Sequence, residues 1–125
     1  MSSDISAIEA VIQDYFDGLH EGDIPKLRNI FHETCTWYMR DGEAVSALPV
    51  SEWLDRLSQA PSAASRNLER IDRLLGIEIA EGELAFARLN VQIPPRYFTD
   101  FMTLVKLPDV GWKIVSKTFH AETRE

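Results

Sequence analysis

An α+β fold, with helices laid on one face of a curved antiparallel sheet, is what this sequence predicts. Near the start, Ile5, Ile8, Ile12, Tyr15 and Leu19 recur at the spacing of an amphipathic helix. The last third, Tyr97 to His120, reads as two strand-like runs joined by Pro108-Asp109-Val110-Gly111. Both faces of that hairpin carry apolar residues. The sheet therefore needs cover on both sides, from a helical lid over a cavity, from a partner subunit, or from both.

Taken in order, Ser3 or Asp4 caps the first helix, and Gly22 stands where it stops. Asp23 caps a second, shorter helix that tolerates Pro25 in its first turn and carries Leu27, Ile30 and Phe31 on one side. Cys35 to Arg40 is aromatic and strand-like, Asp41-Gly42 is a hairpin signal, and Glu43 to Leu48 is a weak partner strand. Ser51 is expected to cap a third helix bearing Trp53, Leu54 and Leu57, followed by a small-residue loop from Ala60 to Ser65. A four-stranded meander completes the chain. Leu68 to Ala80 meets Glu83 to Ile93 across Glu81-Gly82, and Tyr97 to Leu107 meets Trp112 to His120 beyond Pro94-Pro95. Residues 1–125 are expected to form one domain, with no repeat and no linker.

Composition excludes several function classes. A formal charge of −7 and a pI near 4.9 disfavour nucleic acid and anionic membranes. No apolar run approaches the ~18 residues of a membrane span. Cys35 is the only cysteine, no zinc-type Cys/His spacing exists, and no metal or cofactor motif is present. The opening segment reads as a capped helix and not as a leader, so a cytoplasmic setting is expected. There is no phosphate-cradling glycine loop and no nucleophile-elbow motif.

The order of elements resembles the nuclear-transport-factor-2-like superfamily, a cone-shaped α+β fold. Tyr15 through Gly22-Asp23 to Phe31-His32 is similar to its first two helices. Phe98-Thr99-Asp100-Phe101, followed by Trp112 to Lys117, most resembles the subgroup labelled lumazine-binding, with SnoaL-like cyclases and ketosteroid isomerase as more distant cousins. The resemblance implies a cone whose concave face meets three helices from the N-terminal half and whose convex face meets a second subunit. Tyr15 stands eight residues before Asp23, as the isomerases' oxyanion tyrosine precedes its Gly-Asp. Their general-base aspartate falls where this chain has Trp37-Tyr38-Met39, and Met39 accepts no proton. The steroid-isomerase mechanism is therefore not expected.

Strand alternation, with no bulge assumed, puts Leu75, Ile77, Phe86, Arg88, Asn90, Phe98, Asp100, Met102, Val115, Lys117 and Phe119 on the concave face. The convex face then carries Ala85, Leu89, Phe101, Ile114 and their alternates, and is expected to form a homodimer interface. Asp100 should lie diagonally across the hairpin from Lys117, either as a structural ion pair or as a carboxylate tuned by burial beside a cation. Arg88 and Asn90 are candidates to orient a ligand's carboxylate or carbonyl, or Arg88 pairs with Asp100 or with a helix carboxylate. Trp37, Met39, Trp53, Phe86 and Met102 are read as pocket wall or core, and Tyr15 as a core phenol or an oxyanion donor. His32 is expected to meet the C-terminal end of the second helix, His120 to lie at an edge or interface, and Cys35 to be a small buried hydrophobe.

The leading expectation is a cone that binds a small, largely apolar molecule bearing a polar or anionic group, without a cofactor. The alternatives are a cofactor-independent isomerase, dehydratase or cyclase, with Asp100 moving the proton and Tyr15 or Arg88 holding the oxyanion, and a non-catalytic protein-interaction module.

Overall fold

The computed structural model describes residues 3–124. Its elements run α1 (Asp4–Glu21), α2 (Ile24–Ile30), β1 (Phe31–Asp41), β2 (Ala44–Pro49), α3 (Val50–Ser58), β3 (Ile71–Ala80), β4 (Leu84–Ile93), β5 (Arg96–Leu107) and β6 (Gly111–Thr123). The six strands form one sheet in the order β2-β1-β6-β5-β4-β3. Every pairing is antiparallel except β1 with β6. The N-terminal hairpin thus joins the C-terminal meander edge to edge, and the three helices lie on one face of the result.

Local chemistry accounts for the helix ends. Ser3 Oγ accepts from the Ser6 amide and Asp23 Oδ1 from the Lys26 amide, each satisfying an orphan donor of a first turn. Gly22 closes α1 at φ 70°, a left-handed conformation that suits glycine. A Cβ on Gly18 would stand 2.8 Å from Leu27 Cγ, so the bare backbone there lets α2 fold back against α1. Ser51 does not cap α3. The helix begins two residues earlier, at Val50, with Pro49 at its N-cap and no side-chain cap bond.

Two features of register decide which side chains face the helices. Pro94-Pro95 is a two-residue connection, so Ile93 pairs with Arg96, Leu89 with Asp100 and Ala87 with Met102. Directly paired residues share a face. The inner face of β4 is therefore Ala85, Ala87, Leu89 and Val91, all buried, while Phe86, Arg88 and Asn90 point outward. The second feature is a bulge in β6. Thr103 pairs with Ser116 and Leu104 with Ile114, which leaves Val115 extra and turns both Ile114 and Lys117 inward. A similar shift in β3 between Leu74 and Gly76 leaves Leu75 exposed. The faces read by unbroken alternation are thus corrected: Phe86, Arg88, Asn90, Leu75 and Val115 leave the concave set, and Ala85, Leu89 and Ile114 enter it.

Inside, Ile8, Ile12, Tyr15 and Phe16 of α1 join Leu27 and Ile30 of α2 and Trp53 and Leu54 of α3 in one apolar cluster with the sheet. Asp100 and Lys117 are the charged residues buried within it, 1% and 4% exposed. No described helix is long and apolar enough to cross a membrane.

Candidate functional site

The helical stripe of α1 delivers Tyr15 to the inner face, and two neighbouring strands meet it there. Asp100 of β5 pairs with Phe119 of β6, which sets Lys117 diagonally across from the carboxylate, as the hairpin reading expects. Tyr15 Oη donates to Asp100 Oδ2 at 3.0 Å, and Lys117 Nζ donates to Tyr15 Oη at 2.9 Å. The ammonium and the carboxylate are 3.9 Å apart, so the phenol bridges them. Aromatic rings surround the remaining sides of Nζ. Trp37 lies 4.6 Å away, Trp53 and Phe119 each 4.9 Å, and Tyr15 itself 5.3 Å.

Burial sets the electrostatics of this cluster. Desolvation holds Lys117 below the ordinary lysine value, and the Asp100 charge works against that. Desolvation, and then the Asp100 charge and hydrogen bond, push Tyr15 well above the ordinary phenol value. Tyr15 therefore stays a hydroxyl, able to accept from one neighbour and donate to the other. Asp100 Oδ1 and Trp37 Nε1 are buried with no hydrogen-bond partner in the protein.

A cavity of about 310 Å³ opens beside the cluster. Trp37, Trp53, Phe98 and Phe119 supply aromatic wall, and Leu19, Met39, Leu57, Val91 and Ile93 supply aliphatic wall. Its polar groups are Tyr15, Lys117 and Arg96. Arg96 is exposed and lies with its guanidinium 5.1 Å from the Phe98 ring. Among the described residues, no carboxylate lines the space.

Of the residues singled out from sequence, Tyr15, Trp37, Met39, Trp53 and Lys117 meet around this cavity. Asp100 stands behind Tyr15, and Met102 is fully buried in the core. Phe86, Arg88 and Asn90 do not join them, because the Pro94-Pro95 register turns them to the outer face. There Phe86 packs on Phe101 at 5.4 Å, Asn90 Oδ1 accepts from Thr99 Oγ1, and Arg88 is exposed and makes no pair with Asp100. His32 is likewise corrected. It lies in β1, past the end of α2, and bonds Thr34 Oγ1 through Nδ1. His120 lies opposite Thr99, exposed on the outer face. Cys35 is buried, which pushes its thiol up to about 12. Arg96 was not foreseen. Its signal is the residue directly after Pro94-Pro95, which a two-residue turn places at a strand end. Among the described residues, no group of three or more His, Cys, Asp or Glu is placed to hold a metal ion.

Three helices on an open, mostly antiparallel six-stranded sheet place the chain in the nuclear-transport-factor-2-like class. The chain belongs to the family described as "Putative lumazine-binding", whose model matches residues 3–120. Among solved structures, it is similar to an NTF2-like protein of unknown function from Methylobacillus flagellatus KT, at 27% identity over 98% of this chain and 96% of that one, TM-score 0.80. A second NTF2-like protein of unknown function, from Shewanella baltica OS155, shares 22% identity over 99% and 100%, TM-score 0.81. A ketosteroid isomerase-like protein from Erwinia carotovora atroseptica shares the fold at 12% identity, covering 99% and 100%, TM-score 0.73. No curated protein matches the sequence.

Proposed function

We propose that the cone binds a small, planar, largely apolar molecule that presents a carboxylate or a carbonyl to Lys117. The observation that carries this reading is the composition of the cavity: aromatic and aliphatic walls with polar groups that are cationic or donating. An ammonium has three donors, and Lys117 uses one on Tyr15. Arg96 offers a second positive group on the same lining. The volume lies at the small end of the usual pocket range, roughly 300–1,000 Å³. A planar bicyclic heterocycle with carbonyl acceptors, such as the lumazine in the family's description, is of this class.

Quenching of Trp37 and Trp53 fluorescence tests the reading. Naphthoate should bind, and the naphthylmethylammonium cation should be rejected. Lys117→Met should weaken naphthoate by roughly one to two decades, the worth of a charge-assisted contact of about 1.5–3 kcal/mol. Equal binding of both compounds, or an unchanged affinity in the variant, would overturn it.

A second reading, acid/base catalysis, is favoured by Asp100 Oδ1, a buried acceptor without a partner. There Lys117 would hold an enolate-like oxygen while Tyr15 takes a proton from the substrate and passes its own to Asp100. Asp100→Asn would then lower turnover by about 10²–10⁴-fold while preserving ligand affinity.

The homodimer expectation moves to the corrected outer face, where Phe86 packs on Phe101 and Phe101 is 46% exposed. A second copy laid on that face would cover both. A reducing, cytoplasmic setting fits a lone buried thiol and stays part of this reading.

A further inference from the structure

We propose that Lys117 is a nucleophilic amine that captures an apolar aldehyde or ketone in the cone as an imine. This rests on the ligand-cavity reading and adds a covalent step to it. The geometry supplies each requirement. Nζ lies on the wall of an aromatic cavity, shielded from bulk water. Its hydrogen-bond line runs Lys117 Nζ to Tyr15 Oη to Asp100 Oδ2, with donors oriented in one direction.

Along that line the ammonium passes a proton to Tyr15 as the phenol passes its own to Asp100. The products are a neutral amine and a neutral carboxylic acid, so no net charge is created in the dry interior. Burial, which already disfavours the charged amine, acts in the same direction. The amine lone pair then attacks the carbonyl carbon. A C–N bond forms, the carbonyl π pair moves to oxygen, and a proton shifts from nitrogen to that oxygen. Asp100 returns its proton through Tyr15 to the carbinolamine hydroxyl, the C–O bond breaks, and water leaves as the nitrogen lone pair forms C=N. The product is a protonated imine beside an ionised Asp100. A cation thus stays where the ammonium stood, within the rings of Trp37, Trp53 and Phe119 and beside the carboxylate. The site retains its charge balance throughout.

The experiment is reductive trapping of the folded protein with naphthaldehyde and cyanoborohydride near pH 7, followed by peptide mapping. The chain has four lysines, Lys26, Lys106, Lys113 and Lys117, so the map is direct. Lys117 should be modified first, by roughly tenfold for each unit that its pKa lies below a surface lysine's. Naphthoate should block the reaction by competition. Tyr15→Phe, which interrupts the proton line, should slow trapping and shift its pH profile. Modification confined to the surface lysines or the α-amino group, with naphthoate still quenching tryptophan, would overturn the imine and leave the binding reading standing. Failure of naphthoate to bind at all would overturn both. Trapping at an unchanged rate in Tyr15→Phe would overturn the proton line.

Discussion

Asp100 and Lys117 were legible from the sequence as a pair because their spacing depends only on one hairpin, β5 to β6, whose turn residues are conspicuous. Their partner Tyr15, 85 residues from Asp100, was singled out by resemblance and by the helical stripe, and the structure puts its hydroxyl between them. Removing one member strands the rest. Asp100→Ala should destabilise the fold by about 3–5 kcal/mol in urea melts, the cost of leaving a buried charge unpaired. A change within a few tenths would place the pair in solvent. A second residue-scale prediction concerns Cys35, whose thiol burial raises from 9.0 to about 12. Between those values the folded state holds the proton that the unfolded state releases. The stability from this group is therefore fully present below pH 9 and lost as pH rises toward about 12. Tyr15, also raised, acts with the same sign above pH 10, whereas Lys117, lowered, acts against both below 10.5. Cys35→Ala should accordingly flatten the alkaline loss of stability relative to the wild type, measured by urea melts across that window. An identical slope in the two proteins would show that the thiol ionises as freely folded as unfolded.

At the scale of elements, periodicity and punctuation located every helix and strand, but they did not set the phase between strands. Within β4 the alternation of Phe86, Arg88 and Asn90 against Ala85, Ala87 and Leu89 is plain in the sequence. Which set faces inward depends on whether the link to β5 holds an even or odd number of residues, and the pairing of Ile93 with Arg96 settles it. The β6 bulge at Val115 is similarly silent, because nothing in Ile114-Val115-Ser116 departs from an ordinary strand. A mixed face of Phe, Arg and Asn looked more pocket-like than one of Ala and Leu, yet small apolar residues suit the helix-covered side. The packing of α1 on α2 makes a sharper prediction. Gly18→Ala would bring a methyl to 2.8 Å from Leu27 Cγ, and Leu27 is fully buried. Overpacking costs typically about 1–3 kcal/mol, set against the ~1 kcal/mol by which alanine improves helix propensity. A lowered urea midpoint is the expected outcome. A raised midpoint would mean that the two helices can part without penalty.

For the whole molecule, the order of helices, hairpin and meander sufficed to expect the cone, since the sheet's apolar content demands a helical cover. The parallel pairing of β1 with β6 sets Trp37 beside Lys117, and it joins residues too distant in sequence for local patterns to reveal. The outer face carries the prediction for assembly. Phe101→Asp should shift sedimentation from dimer to monomer at micromolar concentration while leaving the fold intact. A wild-type protein that sediments as a monomer there would remove the proposed interface. The central claim is that the cavity beside Tyr15, Asp100 and Lys117 is a ligand site, and a crystal structure grown with saturating naphthoate tests it most directly. The account predicts the ring between Trp37, Trp53 and Phe119, with a carboxylate oxygen within hydrogen-bond distance of Lys117 Nζ. A ligand bound only elsewhere, or a cavity left without one at saturation, would contradict it.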